Sequence, residues 1–333
     1  MLRSFTRAAL CALAFLSAAA PLRAEVSELR ISRQPGLVYL AMIVMEQERL
    51  IEKRAAEAGL GAIRMNWVTF TSGGASVDAL LSGNVDFVTS GASNMLLLWD
   101  KTKGEVQGIA SAAALPMVLV TRDPNVKTLG DFSGADRIAV PTVKISMQAV
   151  TLQIAADRML GEGARARLDA LTVQLGHPDA LAALSNEKSE VNSHFSIPPY
   201  LSQELALPGA HAVLSSNDVY GGSVSNGVIF GTRAFVRANP KLMAAFHAAL
   251  RDAMEIISKD PLRAANSYLA ATKEKVSAEF LVKEITAPGA VYSVAPSYTL
   301  AVAEHLARIG VIKTKPARWQ DYFFEALHGE KGS

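Results

Sequence analysis

One pattern occurs twice in this chain, and it limits the possible folds more than any other feature. The first copy is Val77-Asp78-Ala79-Leu80-Leu81-Ser82-Gly83-Asn84-Val85-Asp86-Phe87, followed by the small polar run Thr89-Ser90-Gly91-Ala92-Ser93-Asn94. The second is Pro178-Asp179-Ala180-Leu181-Ala182-Ala183-Leu184-Ser185-Asn186, then Val191-Asn192-Ser193-His194-Phe195-Ser196. Each reads as the end of an apolar-faced helix, a turn, a short buried strand and a small-residue loop. In an open α/β sheet, loops at the carboxyl ends of strands are where ligands bind. Two such units about one hundred residues apart predict two similar α/β lobes with a cleft between them.

The first 24 residues read as an export leader. Arg3 and Arg7 precede an apolar stretch, Ala8 to Ala20, that is too short to span a bilayer. Leu22-Arg23-Ala24 supplies the small residue at a cleavage site, so cleavage is expected after Ala24. The single cysteine, Cys11, lies inside this leader beside the bulky Leu10, which argues against lipid attachment. The remaining residues, 25–333, hold no cysteine, hence no disulfide, thiolate nucleophile or iron–sulfur ligand set. They are enough for two lobes. The formal charge of +2 falls to −1 once Arg3, Arg7 and Arg23 are removed. No basic run interleaved with aromatics appears, so a nucleic-acid partner is not expected. No later segment has 18 uninterrupted apolar residues, which predicts a soluble mature chain.

Periodicity orders the elements. Ser27–Ser32 alternates as a first strand, and Arg33-Gln34-Pro35-Gly36 turns into a helix running to Ala58 and closed by Gly59. Ile63–Phe70 is a second strand. The Gly-rich stretch Thr71–Ser76 opens the next helix, Val85–Thr89 is a third strand, and a helix carries Met95–Trp99. Further strands are expected at Met117–Thr121, Arg137–Val140, Leu171–Leu175, Ala210–Leu214 and Asn226–Gly231. A helix covers about Ser146 to Leu160. Others start at Asn239-Pro240 and cover about 261–271, 277–285, 296–309 and 316–327, with apolar stripes that read as core packing.

At this level the chain resembles the periplasmic solute-binding proteins of ABC importers in the nitrate/sulfonate/taurine (NitT/TauT-like) group, which share the fold of thiamin-pyrimidine synthase-like proteins. The resemblance rests on Tyr39-Leu40-Ala41 followed by Gly59-Leu60, and on the segment Asp78 to Phe87. It also rests on Leu129-Gly130-Asp131-Phe132-Ser133-Gly134 before Ile138-Ala139-Val140-Pro141, and on Gly310-Val311-Ile312 with an aromatic helix around Tyr322. It implies an α/β, two-lobed type II binding-protein fold with a ligand cleft between lobes. The first lobe would hold 25–116 and 228–333, the second 117–227, joined by two crossing strands, with hinge closure around the ligand. It implies delivery of the solute to a permease and ATPase complex, and a monomer is expected. Members similar to this chain often carry Asp where it has Asn192, with His194 and Phe195 then in the pocket-side position. That departure weighs against carrying over a nitrate or taurine pocket unchanged.

Helix N-termini present unpaired N–H groups and bind anions without a charged side chain. Ser72, Gly73 and Gly74 permit close backbone approach, as do Ser90 and Gly91, and Thr142 and Ser146 add hydroxyls from the second lobe. The same residues also fit a simpler account as caps and turn glycines. Lys144 could meet a carboxylate or sulfonate, or stay solvated. Gln34 and Tyr39 flank the first pocket loop, and Asn226 begins the return strand beside the hinge. His194 could donate to an anion, respond to pH or serve as a structural histidine, and Phe195 could wall an apolar ligand body. No Walker or Gly-x-Gly-x-x-Gly loop, zinc-spaced histidine pair or nucleophile elbow is present. The expectation is a binding protein without catalysis, cofactor or metal, taking a small anionic organic solute of the sulfonate, taurine, nitrate or aromatic carboxylate class. The alternatives are a thiamin-pyrimidine synthase-like enzyme, disfavoured by the missing cysteines, and a periplasmic ligand sensor.

Overall fold

The computed structural model describes residues 24–333, so the expected leader, with Cys11, lies outside the described residues except for Ala24. Ten strands form two five-stranded sheets. They are β1 (Glu28–Arg33), β2 (Arg64–Thr69), β3 (Phe87–Ser90), β4 (Val106–Ala113), β5 (Val118–Thr121), β6 (Ile138–Val140), β7 (Thr172–Gln174), β8 (Ser193–Ser196), β9 (His211–Ser215) and β10 (Gly227–Thr232). The orders are β2-β1-β3-β10-β4 and β7-β6-β8-β5-β9. In the first sheet β1 pairs in parallel with β2 and β3, while β10 is antiparallel to both neighbours. In the second, β6 is parallel to β7 and β8, while β5 is antiparallel to both neighbours. Each sheet thus receives its reversed strand just after the chain has crossed from the other lobe. The architecture is the two-lobed α/β fold that the repeat predicts.

The two copies of the repeat occupy equivalent places. Phe87 lies opposite Ile31 in β1, and Ser193 lies opposite Ile138 in β6. The residue before each strand staples it to its neighbour. The Asp86 carboxylate accepts from the Arg30 amide at 2.8 Å and pairs with its guanidinium at 2.7 Å. Asn192 accepts from the Arg137 amide at 3.1 Å and donates to Asp136 at 2.6 Å. An amide replaces a carboxylate here because its local partner is an acid instead of an arginine. Asn192 therefore works at the amino end of β8, on the edge opposite the ligand loops, and the departure at this position does not alter the cleft.

The crossings run through 114–117 and 221–226. Asn226 clamps them together: its Oδ1 accepts from the Leu115 amide at 3.1 Å and its Nδ2 donates to the Leu115 carbonyl at 2.9 Å. Around the first sheet, the Pro240–Lys259 helix begins with Pro at its first turn and buries Leu242, Phe246, Leu250 and Ile257. Phe246 meets Phe87 edge-on, centroids 5.1 Å apart.

Three expectations need correction. The helix expected through Ala58 is two helices, Leu40–Gln47 and Leu50–Glu57, because Arg49 adopts a left-handed conformation with φ 51°. β4 lies in a stretch for which no element was expected. The stretch 316–327 is not a helix but two single 3₁₀ turns, Trp319–Tyr322 and Glu325–Leu327. Between them Phe323 bridges to Gly108, where an added Cβ would fall 2.3 Å from the ring. No described helix is long and apolar enough to cross a membrane.

Candidate ligand site between the lobes

Both lobes line a small cavity of about 30 Å³ at the carboxyl ends of the strands. From the first come Gln34, Val38, Tyr39, Gly73, Ser90, Gly91 and Asn94; from the second come Pro141, Ser146, Met147, Gln148, His177 and Ile197, with Asn226 at the crossing. Four helices of eight or more residues begin here: Gly73–Leu81, Ala92–Lys101, Met147–Leu160 and His177–Ser185. Their amino ends carry partial positive charge and unpaired amides. No Asp, Glu, Lys or Arg lines the cavity. The electrostatics therefore favour an anion held by neutral donors.

Seven residues expected at the site line this cavity: Gln34, Tyr39, Gly73, Ser90, Gly91, Ser146 and Asn226. Gln34 Nε2 sits 3.5 Å from both the Thr89 carbonyl and Ser90 Oγ, and Asn94 donates to Ser90 Oγ at 2.8 Å. Gly73 is required there, since a Cβ would lie 2.3 Å from Asn94 Nδ2 and 2.5 Å from Ser90 Oγ. Burial raises the Tyr39 phenol above its ordinary value, so it stays neutral. Ser146 caps its helix through the Ala149 amide at 3.3 Å.

The other six lie outside the lining. Ser72 caps its helix through the Ala75 amide at 3.3 Å. Gly74 faces Thr142 across the cleft, a built Cβ being 3.7 Å from the Thr142 methyl, and Thr142 Oγ1 is buried without a hydrogen-bond partner. Lys144 is exposed in a left-handed turn with φ 66°, and its carbonyl accepts from Gln153 at 3.1 Å. Phe195 is wholly buried in the core. His194 is also wholly buried, beneath the cavity instead of in it.

What replaces His194 at the surface of the cavity is His177, which the sequence reading did not single out. Its position immediately before the second repeat copy, at the start of that copy's helix, was the available signal. Asn94 and Gln148 were also missed as contacts; Asn94 closes the polar run of the first copy. His177 Nδ1 lies 2.8 Å from His194 Nε2, and His194 Nδ1 lies 2.6 Å from Glu204 Oε1. Gln148 Nε2 lies 3.3 Å from His177 Nε2. Burial, with His194 alongside, holds His177 well below the ordinary imidazole value. Burial also pushes His194 down to about 3 and Glu204 up to about 8. Ser196 offsets the Glu204 shift only in part; neither its hydroxyl nor Glu204 Oε2 is within bonding geometry of a partner.

The lobes are closed on each other. Ser93 Oγ donates to the Ile145 carbonyl at 2.6 Å, and the Leu37 amide donates to the Pro198 carbonyl at 3.0 Å. Tyr200 and Ser202 donate to Glu274 and Glu284, each at 2.7 Å. Gly91 makes room for Met147, whose Cγ would lie 2.6 Å from an added Cβ. A larger groove of about 480 Å³ opens on the outside of this seam, lined in part by Arg33, Glu274 and Lys275. It carries charges of both signs, and of the four helix ends only His177–Ser185 reaches it, through Pro178, which has no N–H to offer, so the cavity between the lobes is the better ligand site.

No protein-family model matches the sequence, and no curated protein matches it. Solved structures do. The alkanesulfonate-binding protein SsuA of Xanthomonas axonopodis pv. citri, bound to MOPS, superposes with a TM-score of 0.69 at 17% identity, over 88% of this chain and 96% of that one. The periplasmic aliphatic sulphonate binding protein SsuA of Escherichia coli gives 0.67 at 17%, over 90% and 93%. The periplasmic nitrate-binding protein NrtA of Synechocystis PCC 6803 gives 0.67 at 12%, over 90% and 84%. The chain has the fold of these periplasmic binding proteins along nearly its whole described length.

Proposed function

We propose that this protein is the solute-binding component of an ABC importer. It captures a small anionic organic solute of the sulfonate, taurine, nitrate or aromatic carboxylate class and hands it to a permease and ATPase complex. The observation that carries this reading is the convergence of four helix amino ends on a cavity lined by no carboxylate and no Lys or Arg. The sulfonate- and nitrate-binding neighbours support the same class. The protein is exported, loses residues 1–24 and works as a periplasmic monomer. Its lobes are 25–116 with 228–333, and 117–227, hinged at the Asn226–Leu115 clamp. Gln34, Tyr39, Ser90, Asn94, Ser146, Gln148 and His177 meet the solute, and no covalent step takes place.

The test is a thermal-shift panel on protein unfolded and refolded to remove co-purified ligand. The panel holds ethanesulfonate, taurine, nitrate and benzoate. A ligand at 100 times its dissociation constant stabilises by about 2.7 kcal/mol, which moves the midpoint by a few degrees. A shift with one of these anions supports the reading. No shift with any of them, from protein shown to be refolded, overturns it.

A further inference from the structure

Three buried titratable side chains run in line from the cavity into the second lobe: His177 at its surface, His194 on β8 and Glu204 on the Tyr200–Leu205 helix. Such a line has two self-consistent proton arrangements, because a neutral imidazole donates from one nitrogen and accepts at the other. In the first, Gln148 donates to His177 Nε2, His177 Nδ1–H donates to His194 Nε2, and His194 Nδ1–H donates to an ionised Glu204. The three groups together then carry one negative charge. In the second, the Glu204 O–H donates to His194 Nδ1, His194 Nε2–H donates to His177 Nδ1, and His177 Nε2–H is offered at the cavity, the Gln148 amide turning its oxygen toward it. The three groups are then neutral. The arrangements differ by one proton, taken from solvent and resting on Glu204.

We propose that this line makes His177 a specificity-determining contact of the cleft: protonation of Glu204 turns His177 Nε2 from acceptor to donor, and the solute is an anion captured together with that proton. The inference rests on the reading of the cleft as an anion site. Glu204 is wholly buried and its Oε2 has no partner, so its ionised form is costly. Burial also holds its proton to about pH 8. The surrounding groups leave the line to itself. The His177 ring stacks on Tyr200, whose hydroxyl donates outward to Glu274, and Ser202 donates to Glu284. Asp179, on the helix of His177, is exposed. β5, packed against the Glu204 helix, carries no titratable residue, and the Met147–Leu160 helix contributes Gln148. Both ring nitrogens of His194 are occupied, and no described group of three or more His, Cys, Asp or Glu is arranged to hold a metal ion.

The test begins without ligand, on the refolded full mature chain, with ¹⁵N-labelled histidine read by NMR between pH 6.5 and 9.5. His177 and His194 are expected to exchange Nε2–H for Nδ1–H together, in one transition that Glu204→Gln removes. Histidines that keep one tautomer throughout, or titrate separately, overturn the proposal without need of any variant. Calorimetry with ethanesulfonate then reads the coupling. Affinity should fall about tenfold per pH unit above the transition, with about one proton taken up per ligand across buffers of different ionisation enthalpy. In Glu204→Gln the pH dependence should shrink to less than twofold. Binding without proton uptake overturns the coupling. Failure of ethanesulfonate to bind at pH 6.5 counts against the anion site itself, while the tautomers still decide the relay.

Discussion

The two lobes share a strand order but differ at one equivalent position. In the first, Val88 sits in the middle of β3, buried among apolar side chains. In the second, the register places His194 there, joined on one side to Glu204 and on the other to His177. The apolar lobe offers the cavity fixed hydrogen-bonding groups, Gln34, Ser90 and Asn94. The polar one offers an imidazole whose donor or acceptor character is set several side chains away. Topology follows from the pattern of apolar positions, which the lobes share; chemistry follows from the polar residues that interrupt it, which they do not.

Making the second lobe like the first gives the largest effect. His194→Val leaves a cavity and strips Glu204 of its one hydrogen bond, and should cost about 3 kcal/mol in urea unfolding. Adding Glu204→Leu should recover part of this, since an apolar pair needs no partner. A double variant no more stable than the single would show that the lobes differ by more than this polar line.

Next come the glycines at the cleft. Gly73→Ala forces a methyl into Asn94 and Ser90 within the first lobe, so it should lower stability by about 2 kcal/mol. Gly91→Ala meets Met147 only across the closed cleft. It should leave stability within about 0.5 kcal/mol and weaken ligand binding about tenfold, as read by calorimetry. Equal effects on stability from both would contradict a closure contact at Gly91.

The polar line also predicts a stability optimum near pH 6.5. Glu204 keeps its proton in the folded protein up to about pH 8, but the unfolded chain loses it near 4.5. Between pH 6.5 and 8 the folded state therefore binds more protons, and stability should fall as pH rises, by up to about 1.4 kcal/mol per unit. Below 6.5 the unfolded chain protonates His177 and His194, which the folded protein holds neutral, His194 down to about 3. Two such groups outweigh one Glu204, and His305, pushed down to about 4, adds to them, so stability should fall as pH drops. Denaturant titrations across pH should show both limbs, and Glu204→Gln should remove only the alkaline one.

The smallest effects belong to the strand staples. Asn192→Asp would set a carboxylate against Asp136, where the amide now donates at 2.6 Å, and should cost about 1 kcal/mol. Asp86→Asn loses the partly buried pair with Arg30 and should cost a similar amount. Neither should change ligand affinity, because both lie at the amino ends of their strands.

Most strand positions along the chain, the repeat and seven cavity residues were legible because they rest on local signals: apolar periodicity, turn glycines and small residues before helices. β4 was not. Its sequence, Val-Gln-Gly-Ile-Ala-Ser-Ala-Ala, has weak strand preference, and pairing with β10 more than one hundred residues later holds it in place. The aromatic end at Trp319–Phe323 looked helical because its rings recur at helical spacing, but tertiary contacts with Gly108 take precedence. His194 stood out in the sequence, but as a pocket-side residue following a buried strand; it lies within the strand instead, wholly buried. That it acts beneath His177 could not be read, because the partnership depends on a helix, a strand and a second helix meeting in space.

The defining property of the cleft is its preference for negative charge. Calorimetry on the refolded protein, comparing ethanesulfonate with its neutral analogue ethyl methyl sulfone at pH 6.5, isolates that property at nearly constant shape. Tighter binding of the sulfonate by tenfold or more is the predicted result. Equal affinity for the two, or a preference for the sulfone, would contradict an anion site built from helix amino ends.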